Sequence, residues 1–450
     1  CLVTGHDILF FWVARMIMMG QYLMGEVPFH QVSLQGLIYG KSYFSIKEGE
    51  RIAFSLEERQ ALPKEGALPP GVHEKWEKMS KSRGNVVNPL DMVEQYGADA
   101  TRIALLGTPT MNGQMDLDLR RFLEGQHLVN KIWNAFRYGL LRLSEPNFSR
   151  VSLLNVDDFL LEDRWILASF DETLKEFNDH IECFESDKAL KSVTSFFWDR
   201  FCALYVEISK PILSSPDHPL YQQKQGILLL LLTRLLRLWH PFVPFITESL
   251  HQIMKRHFSL DASDHFLIRE ITETLHAASC QASPFPQPLG VGNNEDISSF
   301  ECIEEVVKQI RHLRSEMGIP PHMATDCWIY AEEDSLHKGI IGSLLPIDRF
   351  LVNPTTPPPP VHSIALFSRG KILLPLPIDL YLLEEKRLEK EISQLRKQQN
   401  NAHSQLKKNA FIERAPSHVV EDVRYHLKRC EKSIEELSLT LRQIQKAQEN

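Results

Sequence analysis

The sequence predicts a mostly helical chain with an α/β part at its start. Three observations carry that prediction. Residues 1–40 read as a strand end, a Gly5 turn, an apolar helix over 7–23 and a buried strand over 32–38. From Arg120 to about His257 the apolar residues recur with helical period. From Leu388 to Ile444 they recur in heptads that break once, between Asn409 and Pro416.

Strand, turn, helix and strand at 1–40 suit the second half of a doubly wound, Rossmann-like sheet, in which ligands sit at the carboxyl ends of strands. That domain is expected to span 1–119. Its residues 41–77 are polar, charged and dotted with proline, and are read as a surface insert without an assigned role. Pro89 sits where proline is tolerated, in the first turn of a helix. A helical bundle is expected over 120–280, with helices near 120–143, 157–179, 186–209 and 218–256. The last is interrupted at Pro241 and Pro244, and Leu228, Leu231, Leu232, Leu235 and Leu238 form its packed face. Residues 281–379 hold a Pro/Gly/Asn-rich linker and a small mixed domain. Its helix is expected at 300–316 and its strands near 326–331, 361–367 and 371–376, with Thr355 to Pro360 a stiff loop. In the tail, 380–450, one seam holds Leu388, Ile392, Leu395, Gln399, Ala402 and Leu406. The other holds Val420, Val423, Leu427, Cys430, Ile434, Leu437, Leu441 and Ile444. A proline-containing break between two such seams predicts an antiparallel coiled coil.

Bulk composition narrows the class. With 43% apolar and 24% charged residues, the 450-residue chain is an ordinary globular protein of about three domains. Its net charge of −8 means that any nucleic-acid partner must be met by local basic patches. Seven cysteines without a Cys-x-x-Cys pair argue against a disulfide framework and a zinc ribbon, and suit the cytoplasm. No metal site is expected. No leader or 18-residue apolar span is read; the nearest candidate, Ile227 to Leu238, is short and carries Arg234 and Arg237. No membrane partner is therefore expected.

The chemistry concentrates at Lys78-Met79-Ser80-Lys81-Ser82-Arg83-Gly84-Asn85. Two ammonium groups and two serine hydroxyls on a segment ending in Gly-Asn can close over a polyphosphate. A generic K-x-x-K is more often a solvated turn, so the flanks decide. Downstream runs Val86-Val87-Asn88-Pro89-Leu90-Asp91-Met92-Val93-Glu94-Gln95-Tyr96-Gly97-Ala98-Asp99-Ala100-Thr101-Arg102. Upstream runs Val3-Thr4-Gly5-His6-Asp7-Ile8-Leu9-Phe10-Phe11-Trp12-Val13-Ala14-Arg15-Met16. Together these resemble class I aminoacyl-tRNA synthetases, in the valine, leucine and isoleucine branch, and the upstream run looks like its valine type. The coil tip Asn409-Ala410-Phe411-Ile412 with Ala415-Pro416 points the same way.

The resemblance implies an enzyme that attaches valine to its tRNA with ATP and Mg²⁺ as substrates, through valyl-adenylate. It implies catalytic roles for Lys81 and Lys78, and an ATP site of Gly5, Asp7, Gly36, Lys78, Met79, Ser80, Lys81 and Ser82. Trp12 is implied to pack on the amino-acid side chain. Without the family, Gly5 and Asp7 read as a turn glycine and a helix N-cap, Trp12 as core, and Gly36 as a close-packing glycine. The family's His-x-Gly-His signature and its editing insertion lie upstream of the matching region. The chain, starting at Cys1, is thus expected to be the C-terminal part of a longer monomeric enzyme, inactive by itself.

The helical bundle resembles the family's anticodon-binding domain at Asn130 to Ala135, Phe197 to Cys202, Tyr205 to Glu207 and His240 to Phe245. From Lys386 to Arg429 there are 11 Lys/Arg against 5 Asp/Glu. Phosphate contact along the tRNA is therefore expected from Lys386, Arg387, Lys390, Arg396, Lys397, Lys407 and Lys408. The alternatives are an isoleucine or leucine ligase, or a non-catalytic tRNA-binding module lacking the first ATP half-site.

Overall fold

Strand β1 (Leu2–Gly5) and strand β2 (Val32–Gln35) pair in parallel, with Leu2 opposite Val32 and Gly5 opposite Gln35. The computed structural model describes residues 1–54, 58, 62, 68–80, 85–110, 113–143, 159–257, 288–292, 294–320, 322–331, 337–356, 361–376, 381–407 and 417–448. A parallel pair needs a crossover connection. Here it is a 3₁₀ turn at His6–Ile8, a π-helical turn at Leu9–Val13 and helix α1 (Ala14–Met24), closed by left-handed Gly25. This segment, His6–Met24, is long and apolar enough to cross a membrane, which corrects the reading that no such span exists. Asp7 and Arg15 hid it by breaking the apolar run. The strand pairing on either side fixes it as the crossover of a βαβ unit.

Gly36 divides the strand expected over 32–38, and strand β3 (Leu37–Lys47) begins beyond it. Residues 41–77 are more than a surface elaboration. A two-residue turn with Glu48 and Gly49 both at positive φ leads β3 into strand β4 (Glu50–Ala53), and strand β5 (Val72–Lys78) returns along the other side of β3. That turn geometry matches the twist of antiparallel strands. The Arg51 guanidinium on β4 forks onto the Glu77 carboxylate on β5 at 2.8 and 2.6 Å and stacks on the Phe44 ring at 3.8 Å. Strand β6 (Gln114–Asp116) adds to β3 in parallel.

Two short helices follow the lysine segment. Asn88 caps α2 (Pro89–Tyr96) by accepting from the Leu90 N–H. Gly97, at φ 93°, turns the chain into α3 (Ala98–Leu106). The helical bundle then holds α4 (Arg120–Arg142), α5 (Leu161–Glu182), α6 (Ser186–Ser195) running on through a π-helical stretch, Phe196–Tyr205, into α7 (Val206–Leu213), α8 (Tyr221–Trp239) and α9 (Pro244–His257). Phe136, Trp165, Phe170, Phe197, Leu232 and Trp239 fill its interior. The 218–256 pattern breaks between α8 and α9, at the expected prolines.

The chain divides into two compact units, Cys1–Val291 and Gly292–Asn450. The second starts with α10 (Asn294–Glu316), which contacts a four-stranded mixed sheet in the order β8 (Ile347–Val352), β7 (Thr325–Ala331), β10 (Gly370–Pro375), β9 (His362–Phe367). Strand β8 and helix α11 (Lys338–Leu344) escaped the sequence reading. Helices α12 (Tyr381–Leu406) and α13 (Ser417–Gln448) pack antiparallel along their length. Gln445 donates to Glu385 at one end, and Cys430 faces Gln398 farther along. Leu388, Ile392, Ala402, Val420, Cys430, Leu437 and Ile444 are buried along the pair, and the other expected seam residues are half-buried.

One ionic cluster lies inside the bundle. Lys224 on α8 is wholly buried and donates to Asp163 at 2.6 Å and Glu162 at 2.9 Å, while the Tyr205 hydroxyl also donates to Asp163. Burial pushes the Asp163 carboxyl up and the Lys224 charge opposes the shift. Removing one partner strands the other charges in a medium that cannot solvate them. Lys224→Met is expected to lower unfolding free energy by about 3–5 kcal/mol, read as a shifted urea midpoint.

Candidate functional site

The site is assembled where β1 and β5 end. Asp7 follows β1 in the 3₁₀ turn, and Lys78 is the last residue of β5. The Lys78 Nζ donates to the Asp7 carboxylate at 3.0 Å, joining residues far apart in sequence. Both side chains are partly exposed. The Lys78 hydrogen bond and charge hold the Asp7 carboxyl below the usual carboxylate range. A methyl group on Gly5 would come within 2.7 Å of the Asp7 carboxylate, so this position must stay small for Asp7 to turn back toward the strand end.

Asn85 sets the geometry of the lysine segment, and sequence reasoning missed it. It is almost fully buried. Its Oδ1 accepts from the Ser80 N–H at 2.8 Å, and its Nδ2 donates to the Glu77 carbonyl at 3.1 Å and to those of Gly40 and Lys78 at 3.4 Å. One amide thus ties the two flanks of the segment together and fastens both to β3. Only Asn or Gln offers an acceptor and two donors on one planar group. Its signal in the sequence was the Gly-Asn ending, read there only as a loop terminus. Gly40 admits the crossing closely: a Cβ on it would stand 2.7 Å from the Asn85 carbonyl oxygen.

The other expected ATP-site residues have mixed placements. Met79 packs against the cluster of Ala104, Leu117 and Phe122, so its side chain anchors the strand end in protein. Ser80 lends its N–H to Asn85. Thr110 and Met115 fill the space beside Gly36, within 2.8 Å of where a Cβ would be. That is the close-packing role. Lys81 and Ser82 lie outside the described residues. Trp12 stands in the π-helical turn, 46% exposed, beside the more exposed Phe10 and Phe11. Among the described residues no group of His, Cys, Asp and Glu is arranged to hold a metal.

On the helical bundle, burial separates the aromatics of the family-like stretches. Phe197, Phe201 and Tyr205 are core, whereas Trp133 and Trp198 are 38% and 42% exposed. The Lys131 ammonium lies 5.1 Å from the Trp198 ring centroid, a cation beside an accessible π face.

On the α12–α13 pair, Lys386, Lys390, Arg396, Lys397 and Lys407 are exposed, and Lys408 lies outside the described residues. Arg396 and Lys397 line a groove between the helices with Arg442 and Asn400. Arg387 points inward instead. Its guanidinium donates to Glu384, Glu391 and the Ile364 carbonyl and lies 3.4 Å from Glu316, which fixes α12 to β9 and to the end of α10. It is occupied as an anchor rather than offered to solvent. Charge counting saw a cation and could not see its partners.

Comparison with known proteins covers both regions. The family described as tRNA synthetases class I (I, L, M and V) matches residues 1–43 and 72–118. The gap between those segments holds most of the expected 41–77 insert. The family described as anticodon-binding domain of tRNA ligase matches 163–334, and that described as valyl tRNA synthetase tRNA binding arm matches 383–445. Proteins named valine–tRNA ligase are similar throughout. That of Protochlamydia amoebophila is 38% identical over 97% of this chain and 48% of its own length. Those of Chlamydia felis and Chlamydia muridarum are 35% and 34% identical, over 88% and 93% of this chain and 43% and 46% of theirs. The chain spans slightly under half the length of these curated relatives.

The Asn85 clasp is testable without any ligand. In Asn85→Ala the Ser80 amide loses its buried acceptor. Its hydrogen exchange is expected to accelerate by about tenfold or more, while amides of the bundle core keep their protection. Unchanged Ser80 exchange would show that the side chain fastens nothing.

Proposed function

Since the chain belongs to the class I tRNA synthetases, we propose that it supplies the lysine segment and the tRNA-contacting parts of an ATP-dependent valine–tRNA ligase. The observation that carries this reading is the meeting of Lys78 with Asp7 at the carboxyl end of β1, where doubly wound sheets bind nucleotides. The described helical elements at 120–257 fit the anticodon-binding bundle, and the antiparallel α12–α13 pair fits a coiled-coil arm.

The first step asks little of acid–base groups. The valine carboxylate attacks the α-phosphate of ATP, the bond to the β-phosphate oxygen breaks, and pyrophosphate leaves with its charge. Alignment and cations carry such a reaction. Lys78 and Lys81 supply the cations, with Mg²⁺ travelling on the ATP. Lys78 already faces a carboxylate. When phosphate oxygens outcompete Asp7 for its ammonium, the freed Asp7 carboxylate accepts from ribose hydroxyls. A lysine on a flexible stem can make that exchange, whereas a forked guanidinium would be held by the carboxylate. In the second step the terminal ribose hydroxyl of the tRNA attacks the valyl carbonyl and AMP leaves.

The tRNA surfaces follow from exposure. Trp198 with Lys131, and Trp133, offer stacking faces for splayed anticodon bases. The exposed Lys386, Lys390, Arg396, Lys397 and Lys407 suit the phosphate backbone, Lys408 joins them by charge alone, and Arg387 holds the arm's root. The isoleucine and leucine readings are disfavoured by the run Ile8 to Trp12 and by the heptad tail.

ATP–pyrophosphate exchange by the full-length gene product separates the possibilities. Valine is expected to drive exchange, and Lys81→Ala to slow it by about 100-fold or more. Exchange driven equally by isoleucine or leucine would overturn the amino-acid assignment. Deleting 380–450 is expected to weaken tRNA binding and flatten its salt dependence while sparing exchange. Unchanged tRNA affinity would remove the arm from the proposal.

A further inference from the structure

Two stretches with no role so far meet in space. Tyr96 to Arg102 follows the lysine segment, and His240 to Phe245 runs from the end of α8 into the first turn of α9. Asp99 on α3 accepts from the Ile246 N–H at 2.7 Å and the Phe245 N–H at 3.3 Å. These are the free donors at the start of α9, whose first residue is Pro244. The position before Pro244 is Val243, which has no side-chain acceptor, so Asp99 supplies from another helix the cap that α9 lacks. One turn along α3, Arg102 donates to the Phe242 carbonyl at 2.9 Å and the Pro241 carbonyl at 2.6 Å. An anion thus meets a helix N-terminus, and a cation meets carbonyls just beyond the C-terminus of α8. Each sign matches the local dipole.

The docking is tight as well as charged. Asp99 is only 7% exposed. On the other side of α3, a Cβ on Gly125 of α4 would stand 2.7 Å from the Ala100 carbonyl oxygen. Helix α3 is therefore held between α4 and the α8–α9 turn. It is also tied through Gly97 to α2, the helix that follows the lysine segment. Neither Asp99 nor Arg102 contacts Asp7, Lys78, Asn85 or Met79 in any hydrogen bond or ion pair described above.

We propose that Asp99 and Arg102 are positioning residues that fix the orientation of the bundle against the lysine-bearing sheet, and so govern transfer of the amino acid to tRNA rather than its activation. This rests on the function proposed above. A tRNA held by the bundle must bring its terminal ribose to the adenylate, and a displacement of about 1 Å at that point costs roughly 100-fold. Activation needs only ATP and valine, and the Asn85 hydrogen bonds that fasten its lysine strand involve neither Asp99 nor Arg102.

The test uses the full-length gene product with Arg102→Met, Arg102→Lys and Asp99→Ala. Valine-dependent pyrophosphate exchange is expected to stay within about twofold, while single-turnover transfer from preformed adenylate falls about 10- to 100-fold. Arg102→Lys, which keeps the charge and one donor nitrogen in place of the fork, should recover part of the loss. A parallel fall in exchange and transfer would overturn the proposal, as would unchanged transfer. Hydrogen exchange at Phe245 and Ile246 in Asp99→Ala reads the joint independently of activity, and unchanged protection there would also overturn it. An unsubstituted protein with intact protection but no valine-dependent exchange would instead defeat the proposed function and its dependent claim about transfer, leaving only the mechanical joint.

Discussion

Residues 37–40 of β3 are the hub on which the first unit hangs. Tyr39 pairs with Lys78 across the antiparallel β5 and with Asp116 across the parallel β6. The Ile38 carbonyl accepts from Met79, the Tyr39 carbonyl from Leu117, and the Gly40 carbonyl from Asn85. One short stretch thus fixes where the lysine strand ends, where the segment beyond it closes and where the chain departs for the bundle. A one-residue slip of β5 would turn Lys78 to the opposite face of the sheet. Register, more than local charge, is what delivers its ammonium to Asp7.

The polar insert takes its meaning from that hub. Strands β4 and β5 lengthen the ladder beyond Tyr39, and the Arg51–Glu77 fork clamps the outer strand one residue before Lys78. A longer ladder with a cross-strand fork resists fraying at the end that bears Lys78. The root of α12 shows the same device, where Arg387 gathers Glu384, Glu391 and a strand carbonyl. In both places a guanidinium welds two elements because its planar fork meets carboxylates and carbonyls with little loss of freedom.

Helices were more legible in the sequence than strands. The Leu228 to Leu238 stripe and the two heptad seams announced their buried faces, because one period repeated over many turns. Strand β5 reads Val-His-Glu-Lys-Trp-Glu-Lys and has no apolar alternation, so its pairing could be seen only once β3 stood beside it. Of the candidate site, Lys78 was legible from the Lys-x-x-Lys run and its flanks, and Gly5 and Asp7 only through the family resemblance, since by type alone they read as a turn glycine and a helix N-cap. Asn85 was not, because its partners are main-chain groups whose positions depend on the fold. For Gly36 the close-packing alternative is the one that Thr110 and Met115 fit, whereas Arg387 was legible as a cation but not in its role, because carboxylates surround it.

The placement of Asp99 and Arg102 suggests why the lysine segment and the bundle adjoin in sequence as well as in space. Short helices α2 and α3 link them, so strain at one end is passed through few degrees of freedom. Gly97, at φ 93° between those helices, is the point where the link turns. Asp99 and Arg102 lie just past it, on the bundle side, and brace α3 at both poles of the α8–α9 turn. Toward its other end the same helix offers Ala104 to the cluster on which Met79 packs, so α3 touches both the end of β5 and the bundle. A single short helix, braced by side chains near its start and packed on the lysine strand near its end, is the short mechanical path between sheet and bundle.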